Sequence, residues 1–97
     1  MNTVTLGKTG LKAHRNAFGA LPIQRTDKAE VVRILRRALD GGINFYDTAR
    51  MYTDSEEKIG AAFEDSRDKI IIATKSTART PEGIAQDLAA SLKNLRT

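Results

Sequence analysis

The chain has 97 residues, 40% hydrophobic and 29% charged, close to the averages of a soluble globular protein, so one small domain is its ceiling and neither disorder nor a fibrous repeat is indicated. It contains no cysteine, which excludes a disulfide framework, a thiolate metal site and a cysteine nucleophile. The net charge of +4 is dispersed. Its densest basic group, Lys28, Arg33, Arg36 and Arg37, is broken by Glu30 and followed by Asp40, with no aromatic interleaved to stack on bases, so it reads as a solvated helix face and no nucleic-acid partner is expected.

Met1 to Thr5 lacks a charged segment leading into an apolar stretch, and no apolar run approaches the length of a membrane span. No membrane partner is expected, and a cytoplasmic location fits. Val4 to Lys12 reads as a hairpin around a Gly7-Lys8-Thr9-Gly10 turn. That turn is not a phosphate loop, because the upstream glycine is missing and no helix follows. Asn16 to Leu21 is a short apolar run ending at Pro22, expected to be a buried strand. From Asp27 the period becomes helical, with Val31, Val32, Leu35, Ala38 and Leu39 on one stripe. Asp27 and Glu30 have the spacing of a capping box, and Gly41-Gly42 ends the helix.

Ile43 to Tyr46 predicts a second strand, and Asp54 or Ser55 caps a second helix that turns Ile59, Ala62 and Phe63 inward. Lys69 to Thr74 predicts a third strand, apolar enough to be covered on both faces. Thr80-Pro81 opens a third helix, with Ile84, Leu88, Leu92 and Leu95 as its buried stripe. The strands begin near residues 16, 43 and 69, so one strand and one helix recur about every 27 residues. Consecutive parallel units of this kind wind into an open sheet or a closed barrel, and eight of them would amount to roughly 250 residues, a usual barrel length. The expected fold is α/β: the first three βα units of a (β/α)8 barrel, preceded by a β-hairpin and stopping before closure.

Functional groups of parallel α/β folds gather at the carboxyl ends of the strands. Asp47 follows the second strand, Tyr52 lies five residues on, and Lys75 follows the third strand. Neighbouring strands lie roughly 5 Å apart, close enough for Asp47 and Lys75 to pair. A lysine so held would favour ionisation of a nearby phenol, making Tyr52 a better proton donor to an oxygen that becomes negative as a carbonyl accepts hydride. The same positions also suit a turn residue, a loop aromatic and a solvated strand end. Gly19, at the end of the first strand, permits close approach of a ligand or backbone. His14, the only histidine, belongs to the hairpin and reads as a surface residue.

The run Gly42-Ile43-Asn44-Phe45-Tyr46-Asp47-Thr48-Ala49-Arg50-Met51-Tyr52, with Ser55-Glu56 and Gly60 after it, resembles the aldo/keto reductase signature. Leu6 to Leu11 resembles that family's barrel-bottom hairpin and Ile72-Ala73-Thr74-Lys75 its lysine-bearing strand, so the resemblance extends over essentially residues 1–97. It implies reduction of a small aldehyde or ketone by NADPH, with Tyr52 as proton donor, Lys75 lowering its pKa and Asp47 pairing with the lysine. It also implies that Gly19 and Ala20 border the cofactor near its nicotinamide and that Asp47 approaches the nicotinamide ribose. The family's catalytic histidine ends a fourth strand and has no counterpart in this chain, nor do most contacts to the cofactor phosphates, so the chain alone is expected to be inactive. Two other readings stand beside this one. A partial barrel could be a non-enzymatic binding or self-assembly module that pairs through its open sheet edge, and the repeat could belong to a different barrel or doubly wound enzyme that does not use the three residues.

Overall fold

The computed structural model describes residues 2–97, with Met1 outside the described residues. Strands β1 (Thr3–Thr5) and β2 (Lys12–His14) form an antiparallel hairpin that pairs Val4 with Ala13. Leu6 N–H donates to the Leu11 carbonyl at 2.9 Å across the turn, and Gly7 and Gly10 take φ of +54° and +78°, the left-handed region that favours glycine. This is the expected hairpin.

Three parallel strands follow, β3 (Phe18–Gly19), β4 (Phe45–Asp47) and β5 (Ile71–Ala73), in the spatial order β3-β4-β5. They alternate with helices α1 (Lys28–Asp40), α2 (Ser55–Phe63) and α3 (Pro81–Leu95). The expected element order is observed, but the strands are shorter than the apolar runs that carry them. Leu21, the last residue of the first expected strand, and Lys69, the first of the third, belong instead to single 3-10 turns, Leu21–Ile23 and Arg67–Lys69.

The hairpin is fastened to the sheet by one side chain. Asn44 Oδ1 accepts from His14 N–H at 2.8 Å and Asn44 Nδ2 donates to the Lys12 carbonyl at 2.9 Å. These bonds lie at the amino end of β4, so the hairpin sits across the end of the sheet remote from Asp47.

All three helices stand on one side of the sheet, α1 against α2 and α2 against α3. Between sheet and helices lies the core of Ala20, Ile23, Val31, Leu35, Tyr46, Ile59, Ala62, Phe63, Ile70 and Leu95. Tyr46 is its centre. Its ring packs on Phe18 and Phe63, with centroids 5.6 Å and 4.7 Å away, and its hydroxyl donates to the Ile43 carbonyl at 2.7 Å. Burial pushes its pKa up to about 12, because a phenolate there would lose its water.

Helix termini follow the expected chemistry in part. Asp27 accepts from Glu30 N–H at 3.1 Å, but Glu30 turns to Arg33 instead of returning the bond, so half of the capping box forms. Thr80 caps α3 through Gly83 N–H at 3.0 Å. Asp54 precedes α2 without capping it: its carboxylate accepts from Arg25 N–H and Lys58 Nζ. Gly42, not Gly41, takes the positive φ, of +103°, that turns the chain out of α1.

Two expectations of burial fail for one reason. Ile84, Leu88 and Leu92 of α3 are 51%, 56% and 43% exposed, and only Leu95 of the expected stripe is buried. Ile71, Ile72 and Ala73 of β5 are half-buried and not covered on both faces. Among the described residues no element packs beyond β5 and α3 or against the sheet face opposite the helices, so periodicity correctly marked apolar faces that nothing here covers.

The tightest helix contact falls at Gly60, where an added Cβ would stand 2.2 Å from the Asn94 carbonyl oxygen and 3.0 Å from Leu95 backbone atoms. Backbone cannot swing aside as a flexible side chain can. Gly60→Ala is therefore expected to destabilise the full chain by about 1–3 kcal/mol, read from urea midpoints at constant m-value. An unchanged midpoint would show that α2 and α3 part easily here.

Candidate active site

Parallel pairing aligns Gly19 with Asp47 and Asp47 with Ala73, so these three backbones end the sheet at one level. Tyr46 points into the core, and because side chains alternate along a strand, Asp47 points to the opposite face. Beyond the strand ends the chain continues in register: Thr48 N–H donates to the Ala73 carbonyl at 2.8 Å and Arg50 N–H to the Lys75 carbonyl at 2.9 Å. Lys75, two residues past Ala73, is thereby carried to the side of Asp47.

There its ammonium donates to Asp47 Oδ1 at 2.7 Å and to the Thr48 carbonyl at 2.5 Å. The hydrogen bond to Asp47 is the main reason the lysine's pKa is raised above its ordinary value; burial opposes the rise, and Asp47 and Tyr52 add to it electrostatically. The same ammonium lies 5.2 Å from the centre of the Tyr52 ring, within cation–π range. Tyr52 is held by a turn in which its N–H donates to the Ala49 carbonyl at 3.1 Å and its carbonyl accepts from Ser55 N–H at 2.8 Å. Asp47, Tyr52 and Lys75, singled out by spacing, are thus brought together at the carboxyl ends of the strands.

These three side chains, with Ala17, Gly19 and Leu21, surround an open cavity of about 370 Å³, within the range of small-molecule sites. Gly19 is exposed on its wall, and a Cβ there would meet no atom within 4 Å. Ala20 also lines the cavity, with its side chain fully buried against the core behind the wall. His14 lies at the opposite end of the sheet, bonded through Nδ1 to Asn16 N–H at 3.0 Å. Among the described residues no cluster of His, Asp and Glu could hold a metal ion, and no helix is long and apolar enough to cross a membrane.

Residues 5–97 match the description of the aldo/keto reductase family. The chain belongs to this family. It is 31% identical to the aldo-keto reductase YhdN of Bacillus subtilis, over 100% of this chain and 35% of that protein. To the uncharacterized oxidoreductase YrpG of the same organism it is 36% identical, over 77% of this chain and 26% of that protein. Its fold superposes on the aldo-keto reductase AKR11C1 of Bacillus halodurans, solved in its holo form, with a TM-score of 0.87 at 30% identity, covering 100% of this chain and 37% of that one. The chain therefore spans about a third or less of the two curated relatives, and its α/β fold is that of part of a family member.

In this aldo/keto reductase chain, sequence reasoning overlooked the polar groups beneath the site. Ser55 Oγ, fully buried, donates to the Ala20 carbonyl at 3.1 Å and pairs with Thr48 Oγ1 at 2.8 Å, joining the end of β3 to the start of α2. Since Ser55 has one proton and spends it on Ala20, Thr48 must donate to Ser55. Buried Lys58 reaches the Ile23 carbonyl at 3.0 Å and Asp54 at 2.9 Å, fixing the turn after β3. Glu56, 1% exposed, accepts from Arg50, Thr74 and Ser91. Burial alone would push its carboxyl up, but these hydrogen bonds outweigh it and hold the pKa below its ordinary value. The signal was the polar run Ser55-Glu56, with Lys58, on a helix whose other buried residues are Ile59, Gly60, Ala62 and Phe63.

Asp54 ties the turn after β3 to α2, and hydrogen bonds from Arg25 N–H and then Lys58 lower its pKa from 3.8 to about 2. A carboxyl depressed in the folded state stabilises above its unfolded value and loses that contribution as pH falls through the folded one. The stability difference between the native chain and Asp54→Asn is expected to be flat from neutrality to about pH 5, to shrink below about pH 4, to be mostly lost by about pH 2 and to vanish below it. Because the carboxylate is 41% exposed, the neutral-pH difference should stay on the order of 1 kcal/mol. Urea titrations across this range check both, and a difference undiminished at pH 2 would assign the effect to side-chain shape.

Proposed function

We propose that the protein to which these residues belong reduces a small aldehyde or ketone with hydride from NADPH. In this reading Tyr52 gives the proton, Lys75 assists it and Asp47 holds the lysine. The observation that carries the reading is the position of the Lys75 ammonium, bonded to Asp47 and set beside Tyr52 on one cavity wall. As the carbonyl oxygen gains negative charge, the phenol of Tyr52 transfers its proton to it, and the nearby ammonium stabilises charge left on the phenol oxygen. Asp47 keeps the ammonium charged and aimed, while the Thr48 carbonyl takes a second of its protons.

The family's nicotinamide cofactor, when bound, would supply the hydride. The residues present fit such a group: Gly19 leaves open space on the wall, and Asp47 is half-exposed with Oδ1 engaged and, among the described residues, no donor on Oδ2. Gly19 would border the ring and Asp47 would accept from a sugar hydroxyl, with Ala20 as backing. We assign the fold to the first three βα units of a (β/α)8 barrel and the protein to the cytoplasm. A second reading, self-association through the open edge at β5, is favoured by the exposed Ile84, Leu88 and Leu92 alongside it.

In the full-length protein, Tyr52→Phe is expected to lower kcat for para-nitrobenzaldehyde by about 100-fold or more, followed as NADPH consumption, while NADPH still binds by fluorescence titration. Lys75→Met should lower kcat similarly. Undiminished turnover in Tyr52→Phe would remove the tyrosine from the proton path and favour a different chemistry on the same fold.

A further inference from the structure

Glu56 is a buried carboxylate for which the proposed reaction has no use, and its partners are unusual in where they come from. It sits in the first turn of α2, and Arg50 reaches its Oε1 at 2.5 Å from the loop that carries Tyr52. Thr74, the residue before Lys75, donates to Oε2 at 2.8 Å from the end of β5. Ser91 donates to the same oxygen at 2.5 Å from α3. One carboxylate thus receives the loop on one oxygen and the strand end on the other. The two segments it joins also carry the hydrogen bond from Arg50 N–H to the Lys75 carbonyl.

A carboxylate accepting from several donors in a buried place is stiff, because each bond lost would leave a desolvated charge short of a partner. The distance between Lys75 and Tyr52 depends on how these same two segments lie against each other, and Glu56 clasps both from below, beside the bonds of Lys75 itself to Asp47 and the Thr48 carbonyl. We infer that Glu56 is a positioning residue: its carboxylate, through Arg50 and Thr74, sets the separation of the Lys75 ammonium and the Tyr52 phenol. The inference rests on the proposed reaction for its catalytic consequence, and on the structure alone for its mechanical one.

Both are tested in the full-length protein with Glu56→Gln, which keeps size and one acceptor but removes the charge, and with Ser91→Ala as a control that removes a bond to the same carboxylate from α3. Glu56→Gln is expected to lower kcat for para-nitrobenzaldehyde about tenfold or more while KM stays within about twofold, since misplaced groups slow the chemical step more than they weaken binding. Without cofactor or substrate, the amides of Thr48 and Arg50 should exchange hydrogen about tenfold faster relative to core amides such as that of Leu35. Ser91→Ala should lower the melting temperature without the kcat loss or the selective exchange. If Glu56→Gln does not fold, Thr74→Val severs the strand-end link alone and should show the same kcat loss and faster Arg50 exchange. Equal losses of kcat in Glu56→Gln and Ser91→Ala at matched stability, or unchanged Arg50 exchange in the variants that fold, would overturn the inference. Faster exchange in a protein that reduces no carbonyl would leave the clasp standing and sink the proposed reaction instead.

Discussion

Parallel register governs where every chemical group in this chain ends up. Once Gly19, Asp47 and Ala73 are level, the alternation of side chains sends Tyr46 into the core and Asp47 to the other face, and the next residues along β5 bring Lys75 beside the aspartate. A slip of one residue in the β4–β5 pairing would place Asp47 opposite Ile72 and separate the ion pair. On the other side of β4, the ring of Tyr46 packs between Phe18 and Phe63 and ties the strand to β3 and to α2. The hydrophobic centre and the polar site are consecutive residues of one strand, so the packing of one fixes the position of the other.

The polar groups beneath the site belong to the same construction. Lys58, Ser55 and Glu56 are all buried, and each bonds to a segment distant in sequence, while buried Thr48 bonds to Ser55, so their desolvation is compensated only when those segments arrive. Apolar packing tolerates small shifts, whereas a hydrogen bond loses most of its strength over a few tenths of an ångström and a modest angle. The arrangement suits a site whose proposed chemistry depends on the separation of two side chains. No buried side-chain polar atom among the described residues lacks a partner.

The opposite side of the sheet is less complete. β5 has a free edge, and the apolar stripe of α3 meets solvent over Ile84, Leu88 and Leu92. Helices of α/β folds bury one stripe against their own sheet and neighbours, and α3 has a neighbour on the α2 side alone. Membership of a family whose matched relatives are about three times as long agrees with that picture, since the match covers 26% to 37% of them.

Local pattern alone was enough to determine the order of strands and helices, the hairpin and the Thr80 cap, and to single out Asp47, Tyr52 and Lys75 as candidates beside strand ends. Each of these depends on the period of a segment or on position relative to a strand end, and both are properties of adjacent residues. Tertiary structure decided the rest. It showed that Asp54 serves Arg25 and Lys58 and not the helix it precedes, that Ala20 faces the core, that Asn44 clamps the hairpin, and that Gly60 marks the crossing of α2 and α3. It also showed that three residues of the apolar stripe on α3 are exposed and that Glu56 gathers donors from three segments. A side chain's burial and its partners depend on what lies across space from it. A local period specifies which face is apolar or which residue can accept a bond, but not what meets it.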